Sequence, residues 1–559
     1  MYTGYLGLGR RTRNAKRLIQ VLHVLVRYGF ADLLRRVGFH RSLPARLLRR
    51  VKLLEAPAGE PATFGERLRA ALTELGPSFI KLGQVMSTRP DLFGYDISVE
   101  LSRLQDEVPA LPFDEITPVI QDALHAPVGA LFAGFEKTPV ASASLSQVYR
   151  GLLKTGEPVA VKVRRPGVDK IIEADISLLR VVAAWLHEHV RDLEWLDAPG
   201  IVEEFARSVR RELDFEIEAG IIAQFQHNFE GYEDIFIPKV YPELSATTVL
   251  TMDWVDGVRI DRFDEYEARN CDRKTLAVRG CEIVYDMVFE HRLFHADPHP
   301  GNIFILRDNR FALLDYGMAG HLEKGDVALL ADLLLAVLRQ DSAECLETLL
   351  LLTPGVEPDD PEALQHKIAD FIAFEARAII DRGQVALGLE RATEILREHR
   401  LQLAPRFSLL IKALATIEHV GREANPEMNI VPILQPYVER LVADRYKPAQ
   451  LLRGLQQNAS TVRRLTQQIP DDLSHLLRQL RRGRFRIQTQ DPKSGELPRA
   501  IERAGNRIAF GLLSGGLVIG SSLLIVSPPP LARVGIVGLV VAGLLGFALV
   551  LAAVWNRRD

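Results

Sequence analysis

Three short segments carry side chains suited to one kind of chemistry. Val159-Ala160-Val161-Lys162 sets a single lysine in an apolar strand-like run, and His295-Ala296-Asp297-Pro298-His299-Pro300-Gly301-Asn302 holds a carboxylate and an amide five residues apart. Phe311 to Leu314 is an apolar run that ends in Asp315-Tyr316-Gly317. Phosphoryl transfer needs a cation on the nucleotide phosphates, hard oxygen ligands for Mg²⁺ and a carboxylate near the attacking oxygen. Lys162 fits the first role, Asn302 and Asp315 the metal ligands, and Asp297 the catalytic carboxylate. The step from Asp297 to Asn302 matches the kinase loop H-R-D-x-x-x-x-N, and Asp315-Tyr316-Gly317 stands where D-F-G follows. A lone strand lysine also suits a structural ion pair, and D-Y-G alone also suits a turn. Their shared order and spacing favour a site that takes ATP and Mg²⁺.

A competing reading uses His291, His295, Asp297 and His299 as a zinc or iron site of a metal hydrolase. His291 and His295 stand four residues apart, but Pro298 and Pro300 exclude a helix through the rest.

The elements that must position these groups follow from periodicity. Thr63 to Asp106 reads as helical, with Leu68, Ala71, Leu72 and Leu75 before Gly76-Pro77. Ser146 to Lys154, a Thr155-Gly156-Glu157 turn and Val159 to Val163 read as a β-hairpin. A long helix is expected from about Gly200 to Phe229, then strands at Ile237 to Tyr241 and Thr247 to Trp254. Beyond Asp261 the chain reads as helical to about Tyr446, interrupted by the polar stretch from Asp297 to Gly317. The predicted fold class is α+β, a small sheet lobe followed by a larger helical lobe of protein-kinase-like layout, with no internal repeat.

Ile508 to Val526 and Val534 to Trp555 are uncharged runs, each long enough to cross a hydrocarbon core of about 30 Å. Pro528, Pro529 and Pro530 separate them, and small-residue spacing at Gly511/Gly515 and Gly516/Gly520 suits close helix approach. Arg503, Arg507, Arg557 and Arg558 flank the pair outside its loop, so both ends are expected in the cytoplasm and the protein in the inner (cytoplasmic) membrane. Arg478, Arg481, Arg482, Arg484 and Arg486 suit anionic lipid. Residues 1–52 hold thirteen Lys/Arg against one acid, Asp32, while the whole chain of 559 residues carries a net charge of −3. Interspersed Leu18, Ile19, Leu22, Leu25 and Val26 make that arm amphipathic, suited to a membrane surface, to packing on the catalytic domain, or to an organelle transit peptide. Cys271, Cys281 and Cys345 form no CxxC pair, which suggests neither a disulfide framework nor a thiolate metal site. No secretory signal pattern is present, and no nucleic-acid partner is expected.

The sequence resembles the UbiB family of atypical kinases in several specific places. Lys81-Leu82-Gly83-Gln84 matches its KxGQ signature, Ala141-Ser142-Ala143-Ser144 with Gln147 and Val148 its alanine-rich nucleotide loop, Glu212-Leu213-Asp214 its ExD signature, and His295 to Asn302 its catalytic loop. The resemblance implies that Lys162 contacts nucleotide phosphates and pairs with Glu218. It implies that Lys81 enters the site from an N-terminal extension to meet Glu212, making both catalytic-site residues. ATP would lie against Val140, Ala141, Ser142, Ala143, Ser144, Gln147, Val148, Lys162 and Glu218, with a hinge at Met252, Asp253 and Val255. On a single helix Glu212 and Glu218 would stand about 120° apart and could serve different partners. Alanine is less free than glycine at positive φ, so the loop is expected to be stiff. No A-P-E follows Asp315-Tyr316-Gly317, so the usual peptide platform is not evident.

The layout expected is a basic helical arm at 1–60, a helical KxGQ extension at 61–138, and a sheet lobe with an inserted long helix at 139–260. A helical lobe follows at 261–446, then a linker with a basic juxtamembrane segment at 447–507 and two transmembrane helices at 508–555. The expected function is a membrane-anchored ATPase or phosphotransferase supporting ubiquinone or another isoprenoid-quinone synthesis. Anionic lipid, isoprenoid or quinone intermediates and quinone-biosynthesis enzymes are the expected partners, with homodimerisation left open. The alternatives are a membrane-tethered Ser/Thr protein kinase and a non-catalytic scaffold for lipid biosynthesis.

Overall fold

Pro158–Arg164 is the inner strand of a five-stranded sheet, antiparallel to Ser146–Leu152 on one side and Val249–Asp253 on the other. Its period of two sends Val159, Val161 and Val163 to one face. There they are fully buried with Tyr149 and Val249 against Ile116 and Ile120 of the helix Phe113–Leu124. Burying each such side chain stabilises the fold by roughly 1.5–3 kcal/mol. The same alternation turns Ala160 and Lys162 to the opposite face, across from Met252 and Leu250. Gly134–Phe135 and Ala141–Ser142 complete the sheet against Ser146–Leu152. The computed structural model describes residues 8–30, 63–104, 108–355, 358–445 and Ser521. The chain divides into Met1–Leu451 and Leu452–Asp559, and the fold described is that of the first unit.

The stretch expected as one helix from Gly200 to Phe229 is two helices, Ala198–Glu212 and Phe215–Asn228. Asp214 caps the second by accepting from the Glu216 N–H, and the Phe215 N–H donates to Thr247 O at 3.1 Å. A bond to the turn before Val249–Asp253 thus replaces the helical ladder at this point. Glu212 and Glu218 therefore sit on different helices, and their separation is not set by one axis. The strand expected at Ile237 to Tyr241 reduces to a single Val240–Met252 bridge. Pro238 has no N–H to give, and the Lys239 N–H donates to Asp253 Oδ2 at 3.0 Å. A 22-residue helix, Val168–His189, fills a stretch to which the motif reading assigns no element.

Helices Phe64–Leu75, Pro77–Ser87, Pro90–Phe93 and Tyr95–Ser102 form the N-terminal extension. Thr63 and Glu66 close a capping box at its start. Ala71, Leu72, Leu75, Phe79, Ile80 and Leu101 share a core with Val24 and Phe30. The helix Leu8–Arg27 is fastened by Arg17, which donates to Asp175 Oδ1 and to Leu75 O at 2.8 Å each. The described part of the basic arm therefore packs on the extension and on Val168–His189.

The second lobe is mainly helical around Arg273–Tyr285 and Pro405–Ala424, whose Cys281, Leu410, Ala413 and Ile417 are buried together. Within it, Ile235–Phe236, Phe311–Leu313, Ile303–Ile305 and Val258–Arg259 form a four-stranded sheet, and Leu293–His295 pairs with Ala319–His321. Among the described residues no helix is long and apolar enough to cross a membrane. Ser521 apart, the two expected spans lie outside the described residues, as does the basic linker 447–507.

Candidate active site

Lys162 stands at the centre of a charge cluster. Its Nζ donates to Glu218 Oε1 and Oε2 at 2.8 and 2.9 Å and to Asp315 Oδ1 at 3.1 Å. Burial acts to deprotonate the ammonium, but Asp315 and Glu218 outweigh it and hold Lys162 charged, its pKa raised. Burial likewise opposes ionisation of Asp315, yet Lys162 and Lys81 keep its carboxyl well below the usual range. Glu218 is pushed upward by burial against the pull of Lys162. Glu218 is thus the buried anchor, while the Asp315 side chain is 49% exposed and can accept a further ligand.

Short strands hold the loop from His295 to Asn302. Ile303 pairs with Leu313, and the Leu314 N–H donates to Asn302 O at 2.9 Å, which brings the segments of Asn302 and Asp315 together. Ala319 pairs with His295, and the Ala296 N–H donates to Met318 O, fixing the other side of Asp297. Asn302 Nδ2 donates to Asp297 O at 3.2 Å, so its amide oxygen remains for a metal. Asp297 Oδ1 lies 2.9 Å from Lys412 Nζ, and His299 Nε2 is 4.0 Å from Oδ2. Burial raises the Asp297 pKa, but Lys412 and His299 reverse this and leave it lowered.

The histidines do not converge on a metal. The His295 Nε2–H donates to Leu314 O, and its Nδ1 accepts from the Asp297 N–H, each at 3.2 Å. His299 Nδ1 accepts from the Gly301 N–H. Among the described residues no group of three or more His, Cys, Asp or Glu side chains is arranged to hold a metal ion. The metal-hydrolase reading therefore has no site.

The KxGQ segment divides its work by residue. Lys81 Nζ lies 2.5 Å from Glu212 Oε1, with both side chains largely buried. Glu212 lies over the Asp315-Tyr316-Gly317 turn, since a Cβ added at Gly317 would meet its Cγ at 3.4 Å. Gly83 is required because a Cβ there would come within 2.3 Å of Leu104 and 2.8 Å of Leu72. Gln84 donates to Leu104 O at 3.3 Å. Asp214 of the ExD signature caps the helix Phe215–Asn228.

The alanine-rich loop is a tight hairpin, with Ala141 opposite Val148, Ser142 opposite Gln147, and the Ala143 N–H on Ser146 O. No residue from Val140 to Gln147 takes a positive φ, so alanine is unstrained there. A side chain outside the loop also holds it. Arg165 donates to Ala143 O at 2.8 Å, Ser142 Oγ at 2.7 Å and Pro109 O at 3.0 Å. Gln147 is fully buried and spends its amide on Leu111 and Tyr149, away from a ligand. At the expected hinge Met252 pairs with Ala160, while the Asp253 carboxylate accepts from the Lys239 N–H and the Tyr241 hydroxyl. Val255 follows directly.

Sequence reasoning missed Arg165, which directly follows Arg164, and Lys412, a lone cation in an apolar neighbourhood. It also missed Arg89, which is buried on Asp91 at 2.9 Å and reaches Glu204 at 3.2 Å and Leu403 O at 3.2 Å. That node ties the extension to the Glu212 helix and to the entry of Pro405–Ala424.

A small sheet face presenting a glutamate-anchored lysine, set against a strand-bound carboxylate and amide, defines a protein-kinase-like domain of mixed helix and strand. The family model described as the ABC1 atypical kinase-like domain matches residues 103–349. The UbiB helical domain matches 384–429, and the ABC1/UbiB kinase-like C-terminal domain matches 492–555. A protein named "Probable protein kinase UbiB" from the bacterium Cellvibrio japonicus is 36% identical, over 83% of this chain and 84% of its own. Its namesake from Pseudomonas putida (strain W619) is 35% identical over 91% and 94%. The chain belongs to the ABC1/UbiB family. A solved structure of a Mycobacterium tuberculosis protein in complex with erythromycin is 22% identical with a TM-score of 0.46, covering 58% of this chain and 83% of that one.

Proposed function

We propose that the chain is an ATP-dependent phosphotransferase or ATPase that binds MgATP between its lobes and supports ubiquinone or a related isoprenoid-quinone synthesis at the cytoplasmic membrane. The observation that carries the reading is Lys162, held by buried Glu218 and turned onto half-exposed Asp315. The donor set fits the cofactors: one charged and one amide oxygen suit a hard dication, and a fixed ammonium suits phosphate. When bound, MgATP supplies an activated phosphoryl group whose charge the metal shares. Lys162 would orient the phosphates, Asn302 and Asp315 would hold the metal, and Asp297 would orient the attacking hydroxyl or water. Ala141 to Ser144 would cover the phosphates, with the Arg165 clamp keeping that cover in place. Membrane attachment is assigned to 508–555, with anionic lipid and quinone intermediates as partners. The relatives' name motivates a second outcome, protein phosphorylation.

Two measurements test this. Purified full-length chain should be stabilised by MgATP and release phosphate, and Asp315→Asn should lose both. A deletion strain should lose quinone and regain it with wild type but not with Asp315→Asn. Normal quinone in the deletion strain removes the pathway; an undiminished MgATP effect in the variant removes the site. Efficient phosphorylation of added proteins by wild type moves the protein-kinase reading ahead.

A further inference from the structure

The catalytic loop brings no cation of its own. Between Arg292 and Arg307, a stretch that includes Asp297, the chain contains neither lysine nor arginine. The charge beside Asp297 comes instead from Lys412, 2.9 Å from its Oδ1. Lys412 stands on Pro405–Ala424 between buried Leu410 and Ala413, and its side chain is only 13% exposed. An ammonium in such surroundings is costly unless it is paired. A helix packed on Cys281 and Tyr285 has no packing need for lysine at that place. The two partners also come from separately matched parts of the chain, 103–349 for Asp297 and 384–429 for Lys412.

We infer that Lys412 is the positioning residue for Asp297, fixing its carboxylate toward the acceptor and supplying the cation that the catalytic loop lacks. The inference rests on the phosphoryl-transfer reading. A bond to Oδ1 fixes one carboxylate oxygen and leaves Oδ2 to face the acceptor, near His299. Positive charge at this point also offsets the negative charge that gathers on the transferring group. The helical domain thereby completes the site, and its entry is pinned to the KxGQ extension through Asp91, which accepts from the Leu403 N–H at 3.0 Å.

The test uses full-length wild type with Lys412→Met, Lys412→Gln, Lys412→Arg, Asp297→Asn and the Lys412→Met/Asp297→Asn pair. Phosphate release at varied ATP, Tm, and the MgATP thermal shift are measured. Met and Gln should lower kcat by about 10²-fold with KM and the MgATP shift within twofold of wild type. Arg should recover to within about tenfold of wild type. In the Asp297→Asn background, Lys412→Met should cost little more, because both act through one carboxylate. A kcat within twofold of wild type for Met and Gln overturns the inference alone. So does a loss carried by KM or Tm, or full additivity in the pair. Wild type without MgATP-dependent turnover overturns the reading of the site, and the inference with it.

Discussion

Asp315 receives the Lys162 ammonium at 3.1 Å from a backbone that stands at φ +56°. Left-handed backbone is tolerated by Asp and Asn but disfavoured for β-branched residues. Its Oδ1 also accepts from the Gly317 N–H at 3.3 Å, which holds the turn. Asp315→Asn and Asp315→Val both lose the negative charge beside Lys162, but only valine strains this backbone, so Val should be less stable than Asn by about 1–3 kcal/mol without nucleotide. Both should lose the MgATP thermal shift. Chemical denaturation without nucleotide separates the two effects, and a Val variant as stable as the Asn variant would remove the backbone argument.

His295 makes the site pH-sensitive. Both ring nitrogens are used in the neutral form, and burial pushes its pKa below the ordinary 6.5. Below about pH 6.5 the unfolded chain then binds a proton that the folded chain refuses, so stability falls as pH falls. The contribution is complete above that pH and declines below it by at most about 1.4 kcal/mol per pH unit. His291 is shifted in the same direction, also mainly by burial, so only a comparison isolates His295. Denaturation of wild type and His295→Gln from pH 7.5 to 5.5 should show the shallower slope in the variant. Parallel slopes would assign the effect elsewhere.

The letters of the site were legible because kinase chemistry compresses into short local strings. Lys162 and Glu218, however, come from a strand and a helix whose meeting is a tertiary fact that only resemblance supplied. The helix break at Leu213-Asp214 lacks a proline or glycine and depends on Phe215 bonding Thr247, so periodicity ran straight through it. Lys412 was invisible because a single cation beside apolar residues reads as a solvated position, and Arg165 because an Arg-Arg pair before Pro166-Gly167 reads as a solvated turn. Their partners lie 115 and 22 residues away, at Asp297 and Ala143. Stiffness of the alanine-rich loop does not follow from alanine's φ preference, because its hairpin needs no positive φ.

Tyr316 stands where kinases carry phenylalanine, and its hydroxyl is buried with no hydrogen-bond partner among the described residues. The ring packs on Phe225 and His295. Tyr316→Phe removes an unsatisfied oxygen and keeps the packing, so stability should rise by about 1 kcal/mol with MgATP binding unchanged. A comparable loss of stability would show that the hydroxyl is satisfied.

The Arg89 node predicts a large effect far from the chemistry. Arg89→Met leaves Asp91, which is fully buried, without the guanidinium 2.9 Å away. Breaking one side of a buried pair costs about 3–5 kcal/mol. Equilibrium denaturation should show that loss, and the double variant Arg89→Met/Asp91→Leu should recover part of it. A single variant within 1 kcal/mol of wild type would show that the node contributes little.

The Lys81–Glu212 pair sets a test of how the cleft treats protein acceptors. Its ammonium is 2.5 Å from Glu212, whose side chain lies over Gly317, and it also lowers the Asp315 pKa across the turn. The extension therefore delivers a charge beside Asp315, the residue proposed to hold the metal. Charge-assisted pairs in a partly desolvated cleft are stronger than surface pairs, so the segment is held there firmly. Lys81→Ala removes the ammonium, loosens the segment and opens that side. The variant should show more protein-bound phosphate from labelled ATP than wild type, and less function in quinone synthesis. Glu212→Gln should shift the balance the same way, since it weakens the same pair from the other partner. Free and protein-bound phosphate are counted in parallel for all three proteins. Efficient phosphorylation of added proteins by wild type, unchanged in both variants, would mean that this ion pair does not restrict the acceptor.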